Sequence, residues 1–212
     1  IVGLLALGGW QVQRLAWKRS LIAQVDARLA AKPVPGPVTA GSEDAYRRVA
    51  ATGVFERERD SFVQASTVRG PGWWVITPLR TTDGRTVLIN RGYVPARSAP
   101  PPASGAVSVT GLLRLTEPRG GFLRCNDSAD RWYSRDVAAI AARRGLGATV
   151  PYFIDADATA TTEKGPVAGL TVIRFPNNHL AYAITWFILA TMAIGGFIIW
   201  IKASRRGAEA TE

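Results

Sequence analysis

The feature that most constrains this chain is the stretch 180–201, which contains no Asp, Glu, Lys or Arg. At about 1.5 Å per residue, a helix of that length crosses a hydrocarbon core of about 30 Å. Ile184, Leu189, Met192, Ile194, Phe197, Ile198 and Ile199 make such a helix apolar on every side. A helix on the surface of a soluble domain would instead turn a polar face outward every three or four residues. The stretch predicts a transmembrane helix over 179–201 and an integral membrane protein.

The other end carries a second apolar run, IVGLLALGGW, whose character ends at Gln11, Gln13 and Arg14. Residues 1–10 alone are too short to cross a bilayer. A first transmembrane helix, truncated at its start, is expected over 1–17. A cleavable signal peptide is the competing reading, but no small-residue cleavage site follows, and Trp10 and Trp17 suit a membrane interface. Lys202, Arg205 and Arg206 open a short basic tail, 202–212, expected to stay in the cytoplasm. Both ends are then cytoplasmic, and the segment between the spans is an extracytoplasmic domain of roughly 160 residues.

A formal charge of +10 would raise the question of nucleic acid in a soluble chain. Here the basic residues are spread along the domain, with no dense run and no interleaved aromatics, so a solvated surface or attraction to anionic membrane lipid accounts for them and no nucleic-acid partner is expected. Cys125 is the single cysteine, which excludes an intramolecular disulfide and a metal site built from cysteine pairs.

Between the spans, residues 18–41 read as an amphipathic helix followed by the Pro/Gly linker KPVPGPVTAG, and 42–178 as a β-rich domain. Strands are expected over 46–55, 61–67, 73–80, 86–94, 107–116, 152–154 and 170–175. Asp83-Gly84 supplies the tight hairpin between the third and fourth of these. One short helix is expected over 134–144, capped by Ser134 and ended by Gly145. The domain is therefore mainly β, a small barrel or a sandwich.

Catalytic constellations are mostly absent, and no enzyme is expected. His179, the only histidine, sits at the membrane boundary, and there is no phosphate-binding glycine loop or dinucleotide fingerprint. Asp155 and Asp157, with Arg135, are the best candidates for an undetected enzyme, though acids two apart on a strand more commonly serve a turn or a surface. The informative region is RFPNNHLAYAITW. On a helix from Asn178 onward, His179, Tyr182, Ala183 and Trp186 share a face. An imidazole there can ligate haem iron while Arg174 meets a propionate; alternatively the same His, Tyr and Trp are interfacial anchors. Trp10, Arg14 and Trp17, with Gln11 beside them, reach the same membrane surface, and they converge on His179 if the spans pack together. Arg14 needs an anionic partner or a route to the surface.

The strings GGWQVQRLAWKRSLI, PGWWVITPLRTTDGRTVLINRGYVP, RWYSRD, FIDAD and GLTVIRFPNNHLAYAITWF, in this order, resemble the Surfeit locus protein 1 family over nearly the whole chain. The resemblance implies two transmembrane helices flanking a domain in the bacterial periplasm or the mitochondrial intermembrane space. High Ala and Arg favours the bacterial inner membrane. It also implies a factor for assembly of cytochrome c oxidase, acting in maturation of subunit I. Bacterial members are thought to bind haem a and help deliver it from haem A synthase. Carried over by the PNNH motif, the resemblance puts the haem-associated histidine at His179, its one metal ligand, and the family's tyrosine at Tyr182. A scaffold or accessory subunit that binds no haem is the alternative.

Overall fold

The computed structural model of the chain describes every residue except 121–123, 127–128, 162, 164, 172, 174 and 210–212. In order, the elements are helix α1 (Val2–Ala30), strands β1 (Val34–Pro35), β2 (Arg48–Phe55), β3 (Ser61–Thr67), β4 (Gly70–Thr81), β5 (Thr86–Val94) and β6 (Ala106–Leu115), helix α2 (Val137–Arg144), strand β7 (Thr149–Ala156) and helix α3 (His179–Glu209). They form two units, one of Val25–Val172 and one of Ile1–Gln24 with Ile173–Glu212.

In the first unit the sheet order is β1-β2-β6-β7-β5-β4-β3, and β2 also pairs with β4. That extra pairing closes β2, β6, β7, β5 and β4 into a barrel, so the domain is a barrel and not a sandwich. Closure removes the open edges that an antiparallel sheet otherwise exposes. β5 and β7 run parallel, and the other contacts around the ring are antiparallel. Gly53 is where the ring shuts, since it faces Val107 of β6 on one side and Thr81 of β4 on the other. A Cβ at Gly53 would run into the Arg80 carbonyl, so only glycine lets the two backbones approach this closely.

Two apolar cores follow from the alternation along β5 and β7. Val87, Ile89 and Ile154 point into the barrel with Val49, Leu79, Val109 and Leu113. Leu88 and Phe153, one residue out of phase, join Val63 and Ile76 in a second core that α2 covers with Val137 and Ile140, beside Trp132. β5 is buried on both faces, and its consecutive Val87, Leu88 and Ile89 serve the two cores in turn.

Helix α2 starts later than its sequence pattern suggests. Asp136 is its N-cap, accepting from Ala139 N at 3.1 Å, and Gly145 ends it in the left-handed conformation at φ 61°. The Ser134 hydroxyl is unavailable for capping, because it donates to Glu117 O at 2.6 Å and accepts from Gly120 N at 2.9 Å. The strand expected over 170–175 is not present at Leu170, Thr171, Ile173 or Phe175, the described residues of that range. Pairing is made earlier, where Val167 and Tyr93 exchange two backbone hydrogen bonds at 2.9 Å. The Pro/Gly linker is strapped to the barrel at Pro37, whose carbonyl accepts from Tyr152 Oη at 2.9 Å and Arg85 Nη1 at 3.4 Å.

In the second unit one described helix is long and apolar enough to cross a membrane, the 28-residue stretch His179–Arg206 of α3. It contains the whole charge-free run 180–201 and extends past it through Lys202, Arg205 and Arg206.

Candidate functional site

Within the second unit, α3 begins where Pro176 can no longer be inside a helix and Asn178 O accepts the first helical bond, from Tyr182 N at 3.2 Å. At 3.6 residues per turn, His179, Ala183, Trp186 and Ala190 line one side of α3. Ala183 and Ala190 are buried, and His179 and Trp186 are half-buried. The matching stripe on α1 is Gly8, Gln11 and Leu15. A Cβ at Gly8 would stand 2.7 Å from the Phe187 ring, so the small residue is what admits the aromatic. Small residues on facing stripes let helix backbones approach closely, the usual way helices associate in lipid.

Gln11 Oε1 and His179 Nδ1 lie 2.7 Å apart. With the amide in this orientation the oxygen accepts, so Nδ1 carries the ring proton and Nε2 carries the lone pair. This is the tautomer a metal-ligating imidazole needs, and a hydrogen bond at the other nitrogen is how such rings are usually oriented. Nε2 has no hydrogen-bond partner among the described residues.

The remaining sequence-derived candidates are placed unevenly. Tyr182 is on the flank of the His179 stripe and is 57% exposed. Trp10 and Arg14 lie outside the buried stripe of Gly8, Gln11 and Leu15. Trp10 is exposed, and the Arg14 guanidinium lies over the Trp17 ring at 4.4 Å. That stacking gives the cation a partner near an interface. Arg174 lies outside the described residues. Gln11, which the sequence places beside Trp10, Arg14 and Trp17, is the residue of that group that meets His179, and its 9% exposure marks it as a polar group turned inward. Its place three residues after Gly8 and four before Leu15 is the sequence signal that sets it apart from its neighbours.

The barrel unit has its own polar centre, at Asp155 of β7, which is 2% exposed. It accepts from Asn90 Nδ2 at 2.7 Å, Arg114 Nη1 at 3.0 Å, Thr171 Oγ1 at 2.9 Å and Arg135 Nη1 at 3.4 Å. Arg135 also donates to Glu117 at 2.6 and 3.0 Å. Burial alone would push the Glu117 carboxyl up, but the Arg135 hydrogen bonds and charge outweigh it and hold the carboxyl below its ordinary range. Burial likewise opposes charge on Arg135, and Asp155 with Glu117 overcomes that and raises its pKa. Asp157 pairs elsewhere, with Arg48. A carboxylate whose oxygens already hold four donors has the environment of a structural hub, and Asp155, Asp157 and Arg135 do not form a shared pair of acids around a cleft. Asn90 completes the arrangement by accepting from Gly92 N at 3.1 Å, which pins the bulge between Asn90 and Gly92. No group of three or more metal-ligating side chains occurs among the described residues.

Fold and site together define a class: a closed β-barrel domain carried on a helix of membrane-spanning length, with one imidazole held in a fixed tautomer at the start of that helix. The SURF1 family model matches residues 1–191. The chain is 36% identical over 206 residues to Surfeit locus protein 1 of Rattus norvegicus, covering 85% of this chain and 66% of that protein. It is 35% identical over 227 residues to Surfeit locus protein 1 of Homo sapiens, covering 95% of this chain and 74% of that protein. A SURF1-like protein of Monosiga brevicollis is 33% identical over 223 residues, covering 95% and 83%. The chain belongs to the SURF1 family. It spans about two thirds of the length of the rat relative, 66%.

Proposed function

We propose that the protein is a non-enzymatic assembly factor for cytochrome c oxidase, acting in maturation of subunit I by holding haem a for delivery from haem A synthase. Family membership supports the oxidase role. The observation that carries the haem reading is the Gln11–His179 hydrogen bond, which leaves Nε2 as a lone-pair donor at the start of an apolar helix. The residues present would offer the group one protein ligand. His179 would ligate the iron, Tyr182 and Trp186 would flank the ring, and Arg174 would meet a propionate. Trp10 and Arg14 would serve the same membrane surface, with Arg14 attracting anionic lipid. A bound haem a would bring its own redox chemistry, and this chain's part is to hold and release it. One ligand suits transfer, because a cargo site needs a short residence time.

In this reading α1 carries the first span and α3 the second, and the domain lies outside the cytoplasm, in the periplasm of a bacterial inner membrane. The basic residues Lys202, Arg205 and Arg206, which form the C-terminal end of α3 beyond the charge-free run, support that orientation. A mitochondrial inner membrane with the domain in the intermembrane space is the equivalent arrangement.

The test is the visible spectrum of the full chain purified in mild detergent from cells that make haem a. His179→Ala is expected to lose the bound haem and its Soret band, and Gln11→Leu to lower the haem content by releasing the ring orientation. Full haem content in His179→Ala removes His179 as ligand. A second reading has its own support, since the Gln11–His179 bond is a complete interhelical contact without any ligand. In that case the protein is a scaffold or accessory subunit. It would co-purify with the oxidase in stoichiometric amount, without haem on the isolated chain.

A further inference from the structure

One end of the barrel holds a cavity of about 350 Å³, within the roughly 300–1,000 Å³ that ligand pockets occupy, and barrel mouths are a recurrent place for them. Phe55, Ile89, Val109 and Ala156 form its walls from the strands, and Pro101 closes it from a loop. Among the described lining residues Arg91 is the only charged one. Val75 pairs with Gly92 and Ile76 with Asn90, so Arg91 is the extra residue of a β-bulge. Bulges of this kind commonly re-aim a side chain.

The Arg91 side chain is 12% exposed. Its Nη2 donates to Pro100 O at 2.9 Å. Its Nη1 is buried and has no hydrogen-bond acceptor among the described residues. Asp60 Oδ2 is 3.6 Å away, too far to accept a hydrogen bond, and the other Asp60 oxygen accepts from Thr77 Oγ1 at 2.5 Å. Burial pulls the guanidinium below its ordinary pKa, and Asp60 opposes this only in part. A buried cation with an unmet donor is costly, and it persists best where an anion can complete it. A guanidinium at the wall of an apolar cavity is the complement of a carboxylate on an apolar body.

We propose that this barrel mouth binds a small amphiphilic carboxylate on the scale of a medium-chain fatty acid. Its head sits on Arg91 and its tail against Phe55, Ile89 and Val109. The inference does not rest on haem binding, since it concerns only residues of the barrel unit.

The probe is decanoate, titrated at pH 8 into the full chain in phosphatidylcholine nanodiscs, with empty nanodiscs subtracted and decanol as the uncharged comparison. Carbon-13 at the carboxyl reports the head group, and calorimetry reports the affinity. Saturable binding is expected, with decanoate held at least tenfold tighter than decanol. Arg91→Met should abolish that preference while leaving the circular dichroism unchanged. Asp60→Asn should tighten decanoate severalfold by removing the competing carboxylate. Equal affinity for decanoate and decanol, or no saturable signal above empty nanodiscs, overturns the proposal. Should Arg91→Met fail to fold, the decanol comparison and Asp60→Asn decide alone, and an Asp60→Asn affinity equal to or weaker than the parent's counts against it.

Discussion

Replacing Asp155 by Asn keeps the size of the side chain and removes its charge at the point where four donors converge. Breaking a buried ion pair by neutralising one partner costs about 3–5 kcal/mol, because the other charge remains buried without compensation. Two guanidiniums lose their carboxylate here, but both keep Glu117, at 2.6 Å for Arg135 and 3.5 Å for Arg114. The lower end, about 3 kcal/mol, is therefore the expectation for Asp155→Asn. For a chain of this size about 1 kcal/mol moves the melting temperature by about 2–4 °C, so the midpoint should fall by roughly 6–12 °C. Thermal unfolding of the detergent-solubilised chain, followed by tryptophan fluorescence and near-ultraviolet circular dichroism, measures this. Arg114→Met and the double variant complete a cycle in which the two changes should be non-additive by about 1 kcal/mol or more. A fall of less than about 2 °C in Asp155→Asn, or strict additivity in the cycle, would show that Asp155 does not hold the barrel's polar centre together.

Glu117 gives a pH-dependent expectation. Its carboxyl is held below its ordinary 4.5 in the folded state, so its contribution is present above that value and fades as pH falls through the lowered one. The stability gap between the parent and Glu117→Gln should shrink as melts are run from pH 5 to about pH 3, and a gap that widens contradicts the assignment. Gly53→Val puts a branched side chain where the Arg80 carbonyl closes the barrel. It should cost about 3 kcal/mol or prevent folding, read as a lowered midpoint or loss of soluble domain, while Val54→Thr on the exposed side of the same strand stays within about 0.5 kcal/mol. Tyr152→Phe removes the donor to the Pro37 carbonyl. It should lower stability by about 1 kcal/mol and quicken proteolysis within 33–41, and unchanged cleavage there would mean the strap is held by Arg85 alone.

Much of the fold was legible in the sequence where local chemistry decides it. The ends of β3 and β5 fall where the β-branched runs meet turn residues, and Asp83-Gly84 makes the hairpin between β4 and β5. The charge-free run after His179 is the helix of spanning length. Barrel rather than sandwich was not legible, since it turns on Gly53 meeting Thr81 across the chain and on a parallel β5–β7 pairing that no local pattern announces. Ser134 looked like a helix cap because its side chain is of the right type. Its hydroxyl is taken by Glu117 and Gly120, contacts made through the tertiary fold, and Asp136 caps instead. At the candidate site, His179 was found by its rarity at a helix start. Gln11 was legible only as a neighbour of Trp10 and Arg14, because a polar residue ending an apolar run is ordinary until the facing helix is known.

The four donors on Asp155 come from Asn90, Arg114, Arg135 and Thr171, so the chain completes its polar centre late. During synthesis the segment carrying Thr171 leaves the ribosome after every strand of the barrel and only a few residues ahead of α3. A nascent barrel without it holds a carboxylate short of one donor. Completing the polar centre thereby depends on a residue just ahead of α3, and a truncation just before Thr171 should leave a protease-sensitive barrel already assembled in outline.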